Sequence, residues 1–328
     1  MIVVTGGAGF IGSNLVAGLE ARGEREIVVV DRLGCGDKWR NIAKRELADL
    51  VHPDRFQDWL DRQRGKIRTI FHLGAISSTT ESDADLIAAN NFSLSLELWR
   101  WCARNQTRFI YASSAATYGD GSAGFEDDGT PAALAKLMPL NPYGWSKHLF
   151  DRRVARLAAD PATRPPAWAG LKFFNVYGPN EYHKGGQISV AWQIHERLKA
   201  GEKPRLFRSH HPDYGDGGQL RDFIWVGDCV EVMLWMSEQA SLGGLFNIGT
   251  GKARSFADLA RAVAAATNSE PAIEYVDTPP ALRPRYQYFT EARMDRLRQA
   301  GYRRPFTAIE DGVGSYVHDF LRRDDPYR

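Results

Sequence analysis

The chain reads as an α/β protein built on a doubly wound parallel sheet. Three observations predict this. A β-branched run, Ile2-Val3-Val4, breaks into closely spaced glycines and then a helix. A second apolar strand ends in an acid about twenty residues beyond those glycines. Short apolar strands then continue to alternate with helical stretches through the first half of the chain. At 328 residues there is room for a sizeable core and for one large or two modest domains.

Taken in order, Gly6-Gly7-Ala8-Gly9-Phe10-Ile11-Gly12 follows the first strand, and Ser13 to Arg22 reads as a helix. Glycines at 6, 9 and 12 permit a tight turn and let backbone N–H groups approach a pyrophosphate at the helix N-terminus. The strand Glu26 to Val30 delivers Asp31 to the place where an acid meets an adenosine ribose, which makes this a Rossmann-type dinucleotide site. Arg32 and Lys38 add two cations where a 2′-phosphate would sit, so NADP is preferred to NAD, although Asp31 itself suits a free 2′-hydroxyl. A helix over Asp54 to Arg64 turns Phe56, Trp59 and Leu60 inward.

Thr69 to Leu73 is a third strand running into Gly74-Ala75-Ile76-Ser77-Ser78, a small-residue turn suited to a nicotinamide ribose. Asn90 is expected to open the next helix, with Phe92, Leu96, Trp99 and Ala103 on its core face. Arg108 to Ala112, the fourth strand, ends in Ser113-Ser114, whose hydroxyls would point into the crevice at the carboxyl ends of the strands. In Asn141-Pro142-Tyr143-Gly144-Trp145-Ser146-Lys147, Asn141 caps a helix with Pro142 in its first turn, and Leu149, Val154 and Leu157 supply an apolar stripe. Tyr143 and Lys147, four apart, share a helix face, so the ammonium could lower the tyrosine pKa. Alone, that pentapeptide better fits a surface Tyr and Lys; the upstream glycine turn and Ser114 reverse the reading.

Charges of both signs are interspersed to a formal net of +2, and apolar and charged residues at 43% and 25% are ordinary globular values. That pattern asks for neither nucleic acid nor membrane. No apolar run approaches the roughly 18 residues of a bilayer span, and no basic leader precedes the first strand. Cys35, Cys102 and Cys229 are few and widely spaced, which suits the cytosol and suggests neither a disulfide framework nor a zinc site. Between 210 and 218, two His and two Asp invite a metal reading. Polar glycine-rich loops carry such residues without one, and no metal is assigned.

The glycine turn, Asp31, Ser113-Ser114 and Tyr143 with Lys147, in this order, resemble the extended short-chain dehydrogenase/reductase superfamily over the whole chain. Within it, segments 111–119, 141–147 and 174–179 and His183-Lys184-Gly185 look most like the ADP-L-glycero-D-manno-heptose 6-epimerase family. The resemblance implies catalysis by Ser114, Tyr143, Lys147 and Lys184. It implies a nicotinamide cofactor held by the glycine turn with Phe10 and Ile11, by Asp31, Arg32 and Lys38, by Leu73, Gly74, Ala75, Ser77 and Asn90, and by Lys147 and Val176. Substrate contacts would come from Ser78, Asn175, Phe207, Arg221 and Tyr286. Arg221 would face a diphosphate, a task suited to guanidinium; the alternative is a salt bridge with Asp222. Where that family commonly has Ser and His after the lysine, this chain has Gly186 and Gln193, which would also meet substrate.

On this reading residues 1–172, with 222–246 returning, form the cofactor domain, and 173–221 with 247–328 form a smaller substrate-binding domain. Leu171 to Asn175 and Phe207 to His210 are read as strands, Trp225 to Glu238 as a helix, Leu245 onward as a strand, and Ser255 as a helix cap. The segment from Arg283 to Tyr288, with Pro279, Pro280 and Pro284, is irregular, and the last helix runs from Ala308 to Leu321. The implied reaction epimerises C6 of an ADP-heptose through a 6-keto intermediate, serving heptose supply for lipopolysaccharide core, in a cytoplasmic homo-oligomer. A UDP-hexose 4-epimerase is the nearest alternative. A 4,6-dehydratase lacks its acid, because Ala115, Ala116 and Thr117 follow the serine. A catalytically silent NADP-binding sensor or scaffold is the alternative outside enzymes.

Overall fold

The structure is a computed structural model and describes residues 1–270, 272–280, 283 and 286–328. The first half runs β1 (Ile2–Thr5), α1 (Phe10–Ala21), β2 (Ile27–Val30), β3 (Asp49–Val51), α2 (Phe56–Arg62), β4 (Thr69–His72), α3 (Ala84–Ile87), α4 (Leu94–Arg104), β5 (Arg108–Ser114), α5 (Pro131–Leu134), α6 (Pro142–Leu157) and β6 (Trp168–Phe173). Beyond it come β7 (Asn175–Tyr177), α7 (Val190–Lys199), β8 (Arg205–Phe207), β9 (Leu220–Arg221), β10 (Phe223–Trp225), α8 (Val226–Glu238) and β11 (Gly243–Ile248). The chain closes through β12 (Arg254–Ser255), α9 (Phe256–Thr267), β13 (Glu274–Val276), α10 (Asp295–Gln299) and α11 (Ile309–Tyr316).

Seven of these strands form one parallel sheet in the order β11-β6-β5-β4-β1-β2-β3. Apart from the edge strand β3, its strands are buried on both faces, as their near-continuous apolar runs require. Successive residues divide between two cores: Val4, Val29, Phe71 and Ile110 join α1 and α8 on one side, and Val3, Val28, Ile70 and Phe109 join α2 and α4 on the other. A third core, separate from the sheet, is built by α7, α9 and α11 with Phe223 and Tyr177. The strand order reverses between β1 and β4, and the crevice beyond their carboxyl ends is where an open α/β sheet binds its ligand.

The structure differs from several sequence expectations. Asn90 does not open a helix. Asp83 is the cap, its carboxylate accepting Leu86 N at 2.9 Å, while Asn90 lies in a π-helical turn and donates to Leu86 O. The following helix buries Ser95, Leu98, Trp99 and Cys102 rather than Phe92 and Leu96, which are only partly covered, because the wide turn rotates its face. The inward face of α6 is more polar than its aliphatic stripe suggested: Lys147, Phe150, Asp151 and Val154 are buried. The strand expected over Leu171 to Asn175 breaks at Phe174, whose N–H turns to Ile248 O, and β7 pairs instead with β10. The strand near Phe207 ends at that residue instead of starting there. Leu297 and Tyr302, expected in the smaller domain, pack into the sheet core beside β11. Pro284 lies outside the described residues.

β4 carries a buried imidazole. His72 Nδ1 is 2.7 Å from Thr5 Oγ1 and its Nε2 is 2.9 Å from Ser95 Oγ, and burial, aided by the Lys147 charge, pushes its pKa down to about 3. The folded value lies below the unfolded one, so under about pH 6.5 the unfolded chain binds a proton that the native state does not. Stability is therefore expected to fall as pH drops from 6.5 toward 3. Urea unfolding at pH 7 and pH 5 should show a loss of up to about 2 kcal/mol from this residue, absent in His72→Gln. An equal loss in both proteins would contradict it.

Candidate active site

Local sequence builds the floor of the crevice. Gly6 has φ +68° and its α-carbon sits so close to the β4 turn that a Cβ would stand 2.6 Å from Gly74 N. A Cβ on Gly12 would stand 2.1 Å from Gly6 O, so the turn closes only with glycine there. Gly9 N donates to Gly6 O, and Ser13 N to Gly9 O, which starts α1 directly behind the turn. The resulting cavity, about 460 Å³, is the size of a small-molecule site.

Around that cavity the fold assembles Gly6, Gly9, Phe10, Ile11, Gly12, Asp31, Lys38, Leu73, Gly74, Ala75, Ser77 and Val176 with Ser114, Tyr143, Lys147 and Lys184. The cradle fits a dinucleotide: a glycine turn that no side chain could share, a helix starting at its end, and a carboxylate at the tip of β2. Asp31 accepts Ala8 N at 2.9 Å and Arg32 N at 2.7 Å, and Lys38 Nζ lies 2.6 Å from it. The two expected phosphate cations are thus differently placed. Lys38 neutralises Asp31 inside the cavity, whereas Arg32 is exposed and paired with Asp54. Arg32 and Asn90 line an adjoining cavity of about 220 Å³.

Asn141 caps α6 through Gly144 N at 2.8 Å, which sets Tyr143 at the crevice and Lys147 one turn deeper. Ser114 stands beside Tyr143 at the end of β5. The expected lowering of the Tyr143 pKa by Lys147 does not prevail. Burial raises it, the Ser114 hydroxyl pulls it back, and the Asp151 charge pushes it up. Burial also brings Lys147 down to about 8, with Asp151 opposing. Desolvation is the largest influence on both groups.

Lys184 reaches the same cavity from the short 3₁₀ turn Tyr182–Gln187. Its Nζ lies 5.0 Å from the Phe10 ring centre and 3.9 Å from Glu181 Oε2. Burial lowers its pKa, and Glu181 works against that. Glu181 is fully buried and is held by Ser189 N at 2.7 Å and by Tyr316 OH at 3.0 Å.

The other expected substrate residues divide. Asn175 lines a second cavity of about 300 Å³ that shares Phe174, Val176, Lys184 and Gln187 with the first. Phe207, Arg221 and Tyr286 gather: the guanidinium lies 5.5 Å from the Tyr286 ring and 5.6 Å from that of Phe256, and Phe207 meets Tyr286 edge-on at 6.1 Å. Arg221 makes no salt bridge with Asp222, whose carboxylate takes Thr250 N, Gly251 N and Ala292 N instead. The guanidinium donates to the Leu220 and Gln287 carbonyls. Ser78 turns to Thr80 at 2.9 Å and lies outside the first cavity.

Gly186 and Gln193 fall outside both cavities. Ser189 caps α7 and turns the Gln193 amide back onto Ile188 O, and Gly186 is exposed; Gln187, which sequence reasoning missed, lines both. Also missed were Asn91, which binds Ile76 N and O under the turn after β4, and Asn41, which ties Ala8 O to Asn180 O. No sequence signal marks these two, since their partners are distant in the chain. Among the described residues no cluster of three or more His, Cys, Asp or Glu is disposed to hold a metal, and no helix is long and apolar enough to cross a membrane.

Comparison with known proteins agrees with this geometry. The model of the NAD dependent epimerase/dehydratase family matches residues 2–249. Over the full length of both chains the sequence is 51% identical to an ADP-L-glycero-D-manno-heptose-6-epimerase of Nitratidesulfovibrio vulgaris, and 44% identical to one of Fusobacterium nucleatum. Among solved structures, the Helicobacter pylori ADP-L-glycero-D-manno-heptose-6-epimerase superposes with a TM-score of 0.79 at 25% identity, covering 96% of this chain and 94% of that one. The Thermus thermophilus UDP-glucose 4-epimerase in complex with NAD superposes with a TM-score of 0.76 at 27% identity, covering 96% and 97%. The chain therefore belongs to the NAD dependent epimerase/dehydratase family.

Proposed function

We propose that this protein is an isomerase that interconverts the C6 epimers of an ADP-heptose, ADP-D-glycero- and ADP-L-glycero-D-manno-heptose, with a bound nicotinamide dinucleotide. The observation that carries this is full-length identity of 44–51% to relatives bearing that name, in a chain whose cavity holds Tyr143 and Lys184 together. The glycine turn would hold the pyrophosphate, Asp31 the adenosine ribose, and Ala75, Ser77 and Lys147 the nicotinamide side. The chemistry a bound nicotinamide would supply is reversible hydride transfer at the sugar carbon, with no net redox.

The chain's own residues move the protons. Tyr143, with Ser114 beside it, takes the hydroxyl proton of one epimer, and Lys184 that of the other. C6 lies outside the sugar ring, so its planar ketone can turn about the C5–C6 bond while the ring stays in place. The two hydroxyl positions then face different sides, and one base cannot serve both. Lys184 suits the second role because burial lowers its pKa toward the working range, and Glu181 limits how far. Arg221, with Tyr286 and Phe207, would receive the diphosphate and base from the lobe formed by 173–221 and most of 247–328. That division leaves 1–172 and 222–246 as the cofactor domain.

Two measurements test this reading. Incubated with ADP-D-glycero-D-manno-heptose and with UDP-galactose, the protein should epimerise only the heptose by NMR; turnover of UDP-galactose alone would assign it to the 4-epimerases. Lys184→Met should lower kcat about 10²- to 10⁴-fold in both directions with KM nearly unchanged, and a change confined to KM would make Lys184 a binding residue.

The cofactor is proposed to be NADP. Lys38 screens the Asp31 charge that would otherwise repel a 2′-phosphate, and Arg32 is held only by a surface ion pair, a weak restraint. Mass analysis of the nucleotide released on denaturation should find NADP. Recovery of NAD alone, with no gain in NAD preference in Arg32→Ala, would contradict it.

A further inference from the structure

Behind Tyr143 and Lys147 lies a charge pair to which the proposed reaction gives no role. Asp151 and Lys172 are completely buried, with Nζ 2.8 Å from Oδ2. The carboxylate also accepts Ser113 Oγ at 2.7 Å and Tyr111 OH at 2.9 Å. Lys172 donates in addition to Thr117 Oγ1 at 2.7 Å and rests 4.9 Å from the Tyr118 ring centre. Burying two such charges seldom stabilises a fold more than well-packed apolar residues of similar volume would, so stability alone is a weak reason for the pair.

Its position suggests another. Residues 143, 147 and 151 follow one another at four-residue spacing on α6, which puts the Asp151 carboxylate one turn behind Lys147 and two behind Tyr143. Ser113, which holds the carboxylate, is also the chain neighbour of Ser114, which stands beside Tyr143, and both serines line the cavity. The carboxylate is thus fixed by β5 through Ser113 and Tyr111 and by β6 through Lys172, the strands that set the catalytic serine.

We propose that Asp151, pinned by Lys172, is a positioning residue that sets the charge of the Tyr143–Lys147 proton-transfer pair. This rests on the reading that Tyr143 and Lys147 carry the proton chemistry. Burial works against the Lys147 ammonium, and the Asp151 charge opposes that effect; the same charge raises Tyr143. The other titratable groups facing this region do not substitute for it. His72 on β4 is neutral, with its pKa near 3, and His148 on α6 is brought down to about 4 by burial. Burial drives the phenols of Tyr111 and Tyr118 well above their usual range, and Asp127 is raised to about 6 and binds Asn247 N on β11. Arg152, next to Asp151 on α6, is exposed.

Because Asp151→Asn leaves Lys172 as an unpaired buried charge and is expected to destabilise the protein, the test pairs it with Asp151→Asn/Lys172→Met, which removes both charges. The first readout is the Lys147 titration, followed by NMR of protein labelled at lysine Cε and assigned with Lys147→Met. Its midpoint should move down by up to about one pH unit in the double variant, because Asp151 is the charge that bears on Lys147 and its loss outweighs that of the Lys172 cation. The second readout is the pH profile of kcat. Both limbs should move to lower pH, because the Asp151 charge raises both Tyr143 and Lys147, whereas Asp151→Glu, which keeps a carboxylate, should leave them near their wild-type positions. A stably folded double variant with an unmoved Lys147 midpoint and unmoved limbs would overturn the proposal and leave the pair as structure only. If the wild-type protein turns over no nucleotide sugar, the functional reading fails, while the lysine titration still decides for or against Asp151.

Discussion

The approach of two backbones, Gly6 at the end of β1 and Gly74 at the end of β4, is the constraint on which the rest of the molecule depends. These strands are neighbours in the sheet, but the chain leaves them in opposite directions, and the space beyond their carboxyl ends is covered by neither neighbouring helix. A side chain at Gly6 or Gly12 would fill that space with its own atoms. With glycine there, the turn is tight enough for α1 to start immediately behind it. The carboxyl ends of β2 and β5 then bring Asp31 and Ser114 to the same opening, and the middle of β7 adds Val176.

Electrostatics at this opening follow one theme. Lys147 and Lys184 are amines that burial pushes toward neutrality, and each has a buried carboxylate that resists the push: Asp151 for the first and Glu181 for the second. Both carboxylates are themselves restrained by hydroxyl donors, Ser113 and Tyr111 for Asp151, Ser189 and Tyr316 for Glu181. Lowering an amine pKa eases its proton transfer, and a fixed neighbouring carboxylate works against that lowering. The two lysines are therefore similar in chemistry though they stand on different elements, one on a helix of the sheet and the other on a turn beyond it.

Much of the fold and most of the main cavity were legible in the sequence because they are local. The glycine turn, Asp31 after β2, the Asn141 cap with Pro142 behind it, and the Ser255 cap of α9 each depend on residues within a few positions of one another. What was not legible depends on distant partners. Asn90 reads as a helix start in the sequence, but the π-helical turn that displaces it is held by Asn91, which bonds the Ile76 loop and Ser146. Gln193 was expected in the site and Gln187 was not, since the choice turns on how Ser189 caps α7 against Glu181. Arg32 and Lys38 looked equivalent as cations, yet Asp54 draws one outward and Asp31 the other inward. The spacing of Tyr143 and Lys147 extends to Asp151, a signal that was present in the sequence. Its meaning required Lys172, supplied by another strand.

On the proposed mechanism, the hydrogen removed from C6 is handed back to the same carbon without passing through water. An ADP-heptose carrying deuterium at C6, incubated in ordinary water and followed by NMR through epimerisation, tests it most directly. Retention of the label at C6 of the epimerised product is the result expected. Loss of the label to solvent as inversion proceeds would mean that C6 is deprotonated instead, and would contradict a reaction in which Tyr143 and Lys184 move only hydroxyl protons.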